Sequence, residues 1–333
     1  MNEISIKKGI LHILDTSVGA PILSDKVMEL AEPMEYLEKH ITRLLGDSEI
    51  KECVFEQIDH PIKDLILNTN EDNFLSHTRQ MADSLYQIMI SNPDIPSADV
   101  FFCTFIKDGH RYLGIIKFNY KEAYTHRIQN ADSGTEIGML KYRTLFPSES
   151  QKVDECIMIN LQDFTIQIKE KKYEIDGQRD FYLSSLFMKT QPARSYKEQV
   201  KIVEKSAEQI VKKYYSGDSL KSAEIKAAIL NNTDENMEVH IDSLAKEVFS
   251  DSPDMQDQYK SELSKKGFSE DKIKINQQIY TKLERSHKII TDIGIKMDIP
   301  TELLNDTRKV EFIVNQDGTM SILIKNINEM RSR

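Results

Sequence analysis

The sequence predicts an α+β protein: an N-terminal mixed antiparallel sheet with helices, then a helical segment, then a small C-terminal antiparallel β-sheet. Three observations carry this. β-type runs joined by Asp-Gly turns (Asp108-Gly109, Asp176-Gly177) recur through the first 190 residues. After Gln191-Pro192 the texture changes to Lys and Glu spaced between apolar positions. From His287 β-type residues return, and the chain closes on a hairpin pattern, 309–314 turning through Asn315-Gln316-Asp317-Gly318 into 319–327. At 333 residues the chain exceeds the ~250–300 at which single cores stop growing. It divides into an N-terminal α+β domain, 1–190, and a helical segment with a β-hairpin module, 191–333.

Taken in order, residues 3–14 alternate as a strand through Ile4, Ile6, Ile10, His12 and Leu14. Residues 21–23 return as a short partner. Pro33 opens a helix with Tyr36, Leu37, Ile41, Leu44 and Leu45 on one face, stopped near Gly46. A second helix runs from about Asn73 to Asn92-Pro93, with Phe74, Met81, Leu85, Ile88 and Met89 apolar. Residues 98–106 and 112–118 form a hairpin through Lys107-Asp108-Gly109-His110, because type I′ turns need positive φ at both central residues. Residues 129–152, rich in Ser, Gly and Glu, read as a long loop with a short strand at 139–145. Residues 156–160 and 164–169 form another strand pair; 181–188 is apolar and fits either strand or helix. From Ser195 to about Glu284 about four helices follow, the first with Val200, Val203, Ala207, Ile210 and Tyr214 on one face. Gly217, Asn231-Asn232, Pro253 and Gly267 punctuate them. A turn at Thr291-Asp292-Ile293-Gly294 precedes the closing hairpin, whose Phe312, Val314, Ile322 and Ile324 read as core.

Composition excludes several classes. With 39% hydrophobic and 29% charged residues the chain is globular rather than disordered. The N-terminus lacks the apolar stretch and cleavage site of a signal peptide, and no run approaches the ~20 apolar residues of a spanning helix. Cys53, Cys103 and Cys156 are odd in number and far apart, which suits reduced, buried thiols in a cytoplasmic protein and disfavours zinc. There is no phosphate-binding glycine loop, no dinucleotide fingerprint, no metal spacing among the eight histidines and no Gly-x-Ser-x-Gly elbow. The expectation is therefore a chain without catalytic residues, metal or cofactor.

The formal charge is −10, which argues against indiscriminate nucleic-acid binding by the whole surface. Its distribution is uneven. Residues 1–150 hold 15 Lys/Arg against 23 Asp/Glu, whereas 165–230 hold 13 against 9 and 260–291 hold 8 against 4. The first basic stretch supplies Lys169, Lys171, Lys172, Arg179, Arg194, Lys197, Lys201, Lys205 and Lys212, with Tyr173, Tyr182, Tyr196 and Tyr214 interleaved. The second supplies Lys260, Lys265, Lys266, Lys272, Lys274, Lys282, Arg285 and Lys288. Cations on one surface neutralise phosphates and release counterions, the route to sequence-tolerant, salt-sensitive binding. Glu198, Glu204 and Glu208 between the lysines make a merely solvated helix face the competing reading. A separate set, Asp154 with Glu170 and Lys172, has the residue types of a Mg²⁺ nuclease, two carboxylates for the ion and a lysine to polarise water.

The closing run Lys309-Val310-Glu311-Phe312-Ile313-Val314-Asn315-Gln316-Asp317-Gly318-Thr319-Met320-Ser321-Ile322-Leu323-Ile324-Lys325-Asn326-Ile327 resembles the C-terminal segment of the bacterial nucleoid-associated proteins of the NdpA/YejK type. Ser148-Glu149-Ser150-Gln151-Lys152-Val153-Asp154-Glu155 and Lys171-Lys172-Tyr173-Glu174-Ile175-Asp176-Gly177 are similar to that family's middle, and Ile10-Leu11-His12-Ile13-Leu14 to its opening. The resemblance implies a non-enzymatic cytoplasmic protein of the nucleoid that binds double-stranded DNA. Other nucleoid proteins are further expected partners, and a homodimer through the helical segment is compatible with it. Membrane partners are not expected. A module recruited to the nucleoid by a partner protein is the alternative, favoured by the acidic first half.

Overall fold

The computed structural model describes residues 4–131, 134–142, 146–214, 219–250, 252–268, 271–285, 287–300, 303, 306–317 and 319–329. The chain divides into two compact units, Met1–Arg194 and Ser195–Arg333.

The first unit is built on a seven-stranded, wholly antiparallel sheet. Its strands are β1 (Ile4–Leu14), β2 (Ile22–Leu23), β3 (Lys51–Cys53), β4 (Ala98–Lys107), β5 (His110–Asn119), β8 (Glu155–Asn160) and β9 (Ile166–Lys169), in the order β2-β1-β4-β5-β8-β9-β3. The Asp108-Gly109 turn joins β4 to β5 with φ of 51° and 79°, as its residues require. Most of β4 and β5 is buried on both sides, because helices cover both faces. On one face α2 (Pro61–Leu67) and α3 (Phe74–Ser91) bring Ile62, Ile66, Met81, Leu85 and Met89 onto Ile10, Val100, Phe102, Leu113, Ile115 and Ile157. On the other, α1 (Met34–Leu45) sets Tyr36 and His40 against Phe118. Close packing leaves little slack: a Cβ on Gly9 falls 2.7 Å from the Phe101 ring.

Several expectations change here. A long hairpin, β6 (Ala123–Ala131) paired throughout with β7 (Gly134–Tyr142), begins before the 129–152 stretch read as a loop and runs into it; the short strand expected at 139–145 is the end of β7 as far as Tyr142, and residues 143–145 lie outside the described residues. The segment α2 and edge strand β3 had no expectation attached. The apolar 181–188 run forms a π-helical turn, Leu183–Phe187, after a small hairpin, β10 (Lys172–Ile175) and β11 (Gln178–Phe181), built on the Asp176-Gly177 turn. All three cysteines are buried and free.

The second unit has five helices among the described residues, rather than four: α4 (Tyr196–Tyr214), α5 (Ser219–Asn231), α6 (Ile241–Val248), α7 (Pro253–Lys265) and α8 (Gln277–Arg285). A short antiparallel pair, β12 (Glu238–His240) and β13 (Lys272–Lys274), lies among them. Helix α4 packs on α5, α7 and β13, with the Tyr259 hydroxyl of α7 donating to the Val203 carbonyl at 3.3 Å. Two hairpins close the chain, β14 (His287–Ile290) with β15 (Lys296–Ile299), and β16 (Val310–Val314) with β17 (Met320–Ile324). Gly318 of the last turn lies outside the described residues. Of the four side chains expected as core in that hairpin, Ile324 is 50% exposed, Phe312 and Ile322 are half-buried, and the side chain of Val314 lies outside the described residues; Val310 is buried. A two-stranded ribbon has no second layer of its own to bury them.

No helix among the described residues is long and apolar enough to cross a membrane.

Candidate nucleic-acid interface

Helix α4 carries the best-formed cationic surface, and its sequence explains why. Ser195 and Glu198 form a reciprocal capping box. The Glu198 N–H donates to Ser195 Oγ at 3.2 Å, and the Ser195 N–H to Glu198 Oε2 at 2.9 Å, satisfying otherwise orphaned first-turn donors. Val200, Val203, Ala207, Ile210 and Val211 are buried along one side. Helical spacing then sends the remaining positions outward. At 3.6 residues per turn, Lys197, Lys201, Lys205 and Lys212 fall within a sector about 80° wide that runs about 22 Å along the axis. All four are exposed, and Lys201, Lys205 and Lys212 have no ion pair among the described residues. Tyr214, expected on the apolar face, is 42% exposed and bonds Gln258, because the helix end outruns the core.

The acidic residues of α4 do not neutralise this stripe evenly. Glu198 is spent on the cap. Glu204 is half-buried, and burial raises its pKa; nearby Lys226 and Lys282 act in the opposite direction, and Glu208 adds to the rise. Glu208, half-buried, is the acidic side chain left inside the lysine sector, one turn before Lys212.

The second predicted cluster is broken up by its own folding. Lys260 pairs with Asp242 at 2.5 Å, Lys265 with Glu262 at 3.0 Å and Lys272 with Glu238 at 2.9 Å. Lys266 is drawn onto α4, donating to Ser206 Oγ at 2.9 Å and Gln209 Oε1 at 3.3 Å. Lys274 is exposed on β13, and Lys282 and Arg285 are exposed on α8. The side chain of Lys288 lies outside the described residues.

In the first unit the candidates fare unequally. Lys169 is 4% exposed, its ammonium held by Asp47 Oδ2 at 2.7 Å and the Val153 carbonyl at 2.9 Å. This is a correction to the sequence reading: a lysine enclosed by its own partners has no reach to a phosphate. Lys171 is exposed but paired with Asp154 at 2.8 Å. Lys172 lies over the Phe181 ring at 4.8 Å, and Arg179 donates to the Lys172 carbonyl at 3.2 Å. Arg194 is exposed at the end of the unit. The structure also brings Lys121 and Lys152 to a small depression beside Asp154 and Lys117. They are about thirty residues apart and both fall outside the two basic stretches, so charge counting passed over them.

The nuclease-like set does not assemble. Glu170 is buried, bonded to Lys51 at 3.1 Å and to the Ser184 N–H at 3.0 Å, while Asp154 is taken by Lys171. No group of three or more metal-binding side chains converges among the described residues. Nearby, Lys117 is fully buried against Glu155 Oε2 at 3.0 Å and the Pro96 carbonyl at 3.1 Å. Burial pushes its pKa below the usual lysine value, and Glu155 opposes the shift. Lys117–Glu155, Lys51–Glu170 and Lys169–Asp47 are thus buried ion pairs built into the sheet and the chain beside it.

A family model described as nucleoid-associated protein YejK matches residues 10–331. The chain belongs to this YejK family of nucleoid-associated proteins. No curated protein matches the chain. The match runs through both units, so the YejK family likeness covers the seven-stranded sheet, α4 and the closing hairpins alike. It agrees with the family resemblance of the opening, middle and closing segments. Membership places the protein with the bacterial nucleoid.

Proposed function

We propose that this nucleoid-associated protein acts non-enzymatically, binding duplex DNA mainly through phosphates, with α4 as the principal contact. The observation that carries the reading is the stripe of Lys197, Lys201, Lys205 and Lys212 on one exposed helix face. Lysines one turn apart meet a polyanion as point charges and demand no base sequence, which is the property a nucleoid protein needs along a genome. Lys282, Arg285 and Lys274 of the second unit, and Lys172, Arg179 and Arg194 of the first, are secondary contacts. Lys171, Lys265, Lys266 and Lys272 begin from existing partners and contribute less, since each contact first costs an ion pair or hydrogen bond.

The net charge of −10 sets the character of this binding. Most of the surface repels DNA, so affinity rests on a local patch and is lost at modest salt. The test is fluorescence anisotropy of a labelled duplex across a salt series. A linear fall of log K with log salt, with a slope of about −2.7 to −3.6, is expected for three or four phosphate contacts. Absence of binding at 50 mM salt overturns the proposal. For the nuclease alternative, incubation of plasmid with the protein and Mg²⁺ is decisive: cleavage abolished by Glu170→Ala contradicts the non-enzymatic reading.

A further inference from the structure

The hairpin β6–β7 is the most exposed regular structure in the first unit: positions 124–130 and 134–142 are exposed throughout. Each strand has nine residues, about 30 Å at the usual strand rise. Residues directly opposite in an antiparallel pair share a face. The register Tyr124↔Lys141, His126↔Met139 and Ile128↔Ile137 therefore puts Tyr124, Ile128, Ile137 and Met139 on one side. They are 67%, 56%, 71% and 80% exposed. Leu140 and Tyr142 lie on the other side, 42% and 47% exposed. An isolated two-stranded ribbon is marginal in water, and an apolar face of this kind marks an interaction surface.

We infer that this ribbon is a self-association arm, whose apolar face docks on the same face of a second copy of this chain. Two arguments select that occupant. The first is charge. The face carries one full cation, Lys141, already joined to Glu122, and the sequence from 121 to 142 balances Lys121, Arg127 and Lys141 against Glu122, Asp132 and Glu136. Arm can therefore meet arm without the repulsion two acidic proteins otherwise feel, while DNA finds no basic face here. The second is area. The four side chains expose roughly 500 Å² per arm, as large as the biggest apolar patches of monomers. Face to face, two arms cover roughly 1,000 Å², the lower bound of a specific interface. Two-fold symmetry makes such a contact self-complementary, with Ile128 and Ile137 central to it.

Sedimentation velocity of the full chain tests this. The wild type is expected to sediment as a dimer at micromolar concentration, and I128E/I137E as the 38.5 kDa monomer. Met139→Cys supplies an independent measurement that leaves the hairpin apolar. The three native cysteines are buried, so a short bis-maleimide reagent links two copies through position 139 alone. A covalent dimer is expected, and its absence overturns the proposal. So does a dimer that survives I128E/I137E, which places the contact elsewhere. A monomeric wild type also overturns it: DNA is then the occupant if I128E/I137E lowers duplex affinity, and another protein if it does not.

Discussion

Replacing Lys201, Lys205 and Lys212 by Gln removes three charges from the α4 stripe while changing little else. Gln has nearly the helix propensity of Lys, and all three side chains are exposed on the face opposite Val203 and Ala207. The far-ultraviolet circular dichroism and thermal midpoint should therefore match the wild type. DNA binding should not. Each phosphate contact contributes about 0.9 to the slope of log K against log salt, so three lost contacts flatten it by about 2.7. Over a fourfold rise in salt, from 50 to 200 mM, the wild type then loses about 40-fold more affinity than the variant. Anisotropy titrations of one labelled duplex at four salt concentrations measure both slopes. A matched variant, Lys171→Gln with Lys265→Gln, removes charge from lysines paired with Asp154 and Glu262 and should shift the slope far less. Parallel slopes for wild type and triple variant would refute α4 as the contact, whatever the absolute affinities.

Four further outcomes follow from the packing and the titrating groups. Lys117→Met leaves Glu155, 0% exposed, without its cation and should cost about 3–5 kcal/mol in urea denaturation, whereas K117M/E155L should recover most of it. Ser195→Ala removes the cap of α4 and should cost about 1 kcal/mol, read as a lower urea midpoint of the second unit's transition. Gly9→Ala drives a methyl into the Phe101 ring and should cost about 1–3 kcal/mol in the same assay on the first unit. His12 is buried, accepts the Ser24 N–H at Nδ1, and has its pKa lowered to about 4, first by burial and then by Arg79. The unfolded chain therefore binds the proton first, so stability falls as pH drops from 6.5 towards 4, and His12→Phe should flatten that part of a pH–melting profile.

The elements legible in the sequence were those specified locally. Asp108-Gly109 and Asp176-Gly177 are turns because their backbones take positive φ, which those residue types tolerate wherever they stand. The buried side of α4 followed from the spacing of Val200, Val203, Ala207 and Ile210. The Ser195-Tyr196-Lys197-Glu198 capping box was present as a signal that would have dated its start to the residue. The β6–β7 ribbon was harder. Its alternation at Tyr124, His126 and Ile128 is answered by Ile137 and Met139, but Ser, Gly and Glu nearby have the composition of a loop. A ribbon with no sheet behind it lacks the buried run by which strands are recognised.

What the sequence by itself determined was the α+β class, the order of most elements, the family segments and which side of α4 faces water. These depend on residues within a few positions of one another. What only the tertiary structure decided was which lysines remain available. Lys169 and Lys201 look alike in a charge count, yet Asp47, 122 residues away in the chain, draws one inside while the other stays at the surface. The same holds for the closing hairpin, where Phe312 and Ile324 alternate as core residues do and yet Ile324 is half exposed. Whether a cation is paired or an apolar face is covered depends on what long-range folding brings against it, and a local pattern carries no record of that partner.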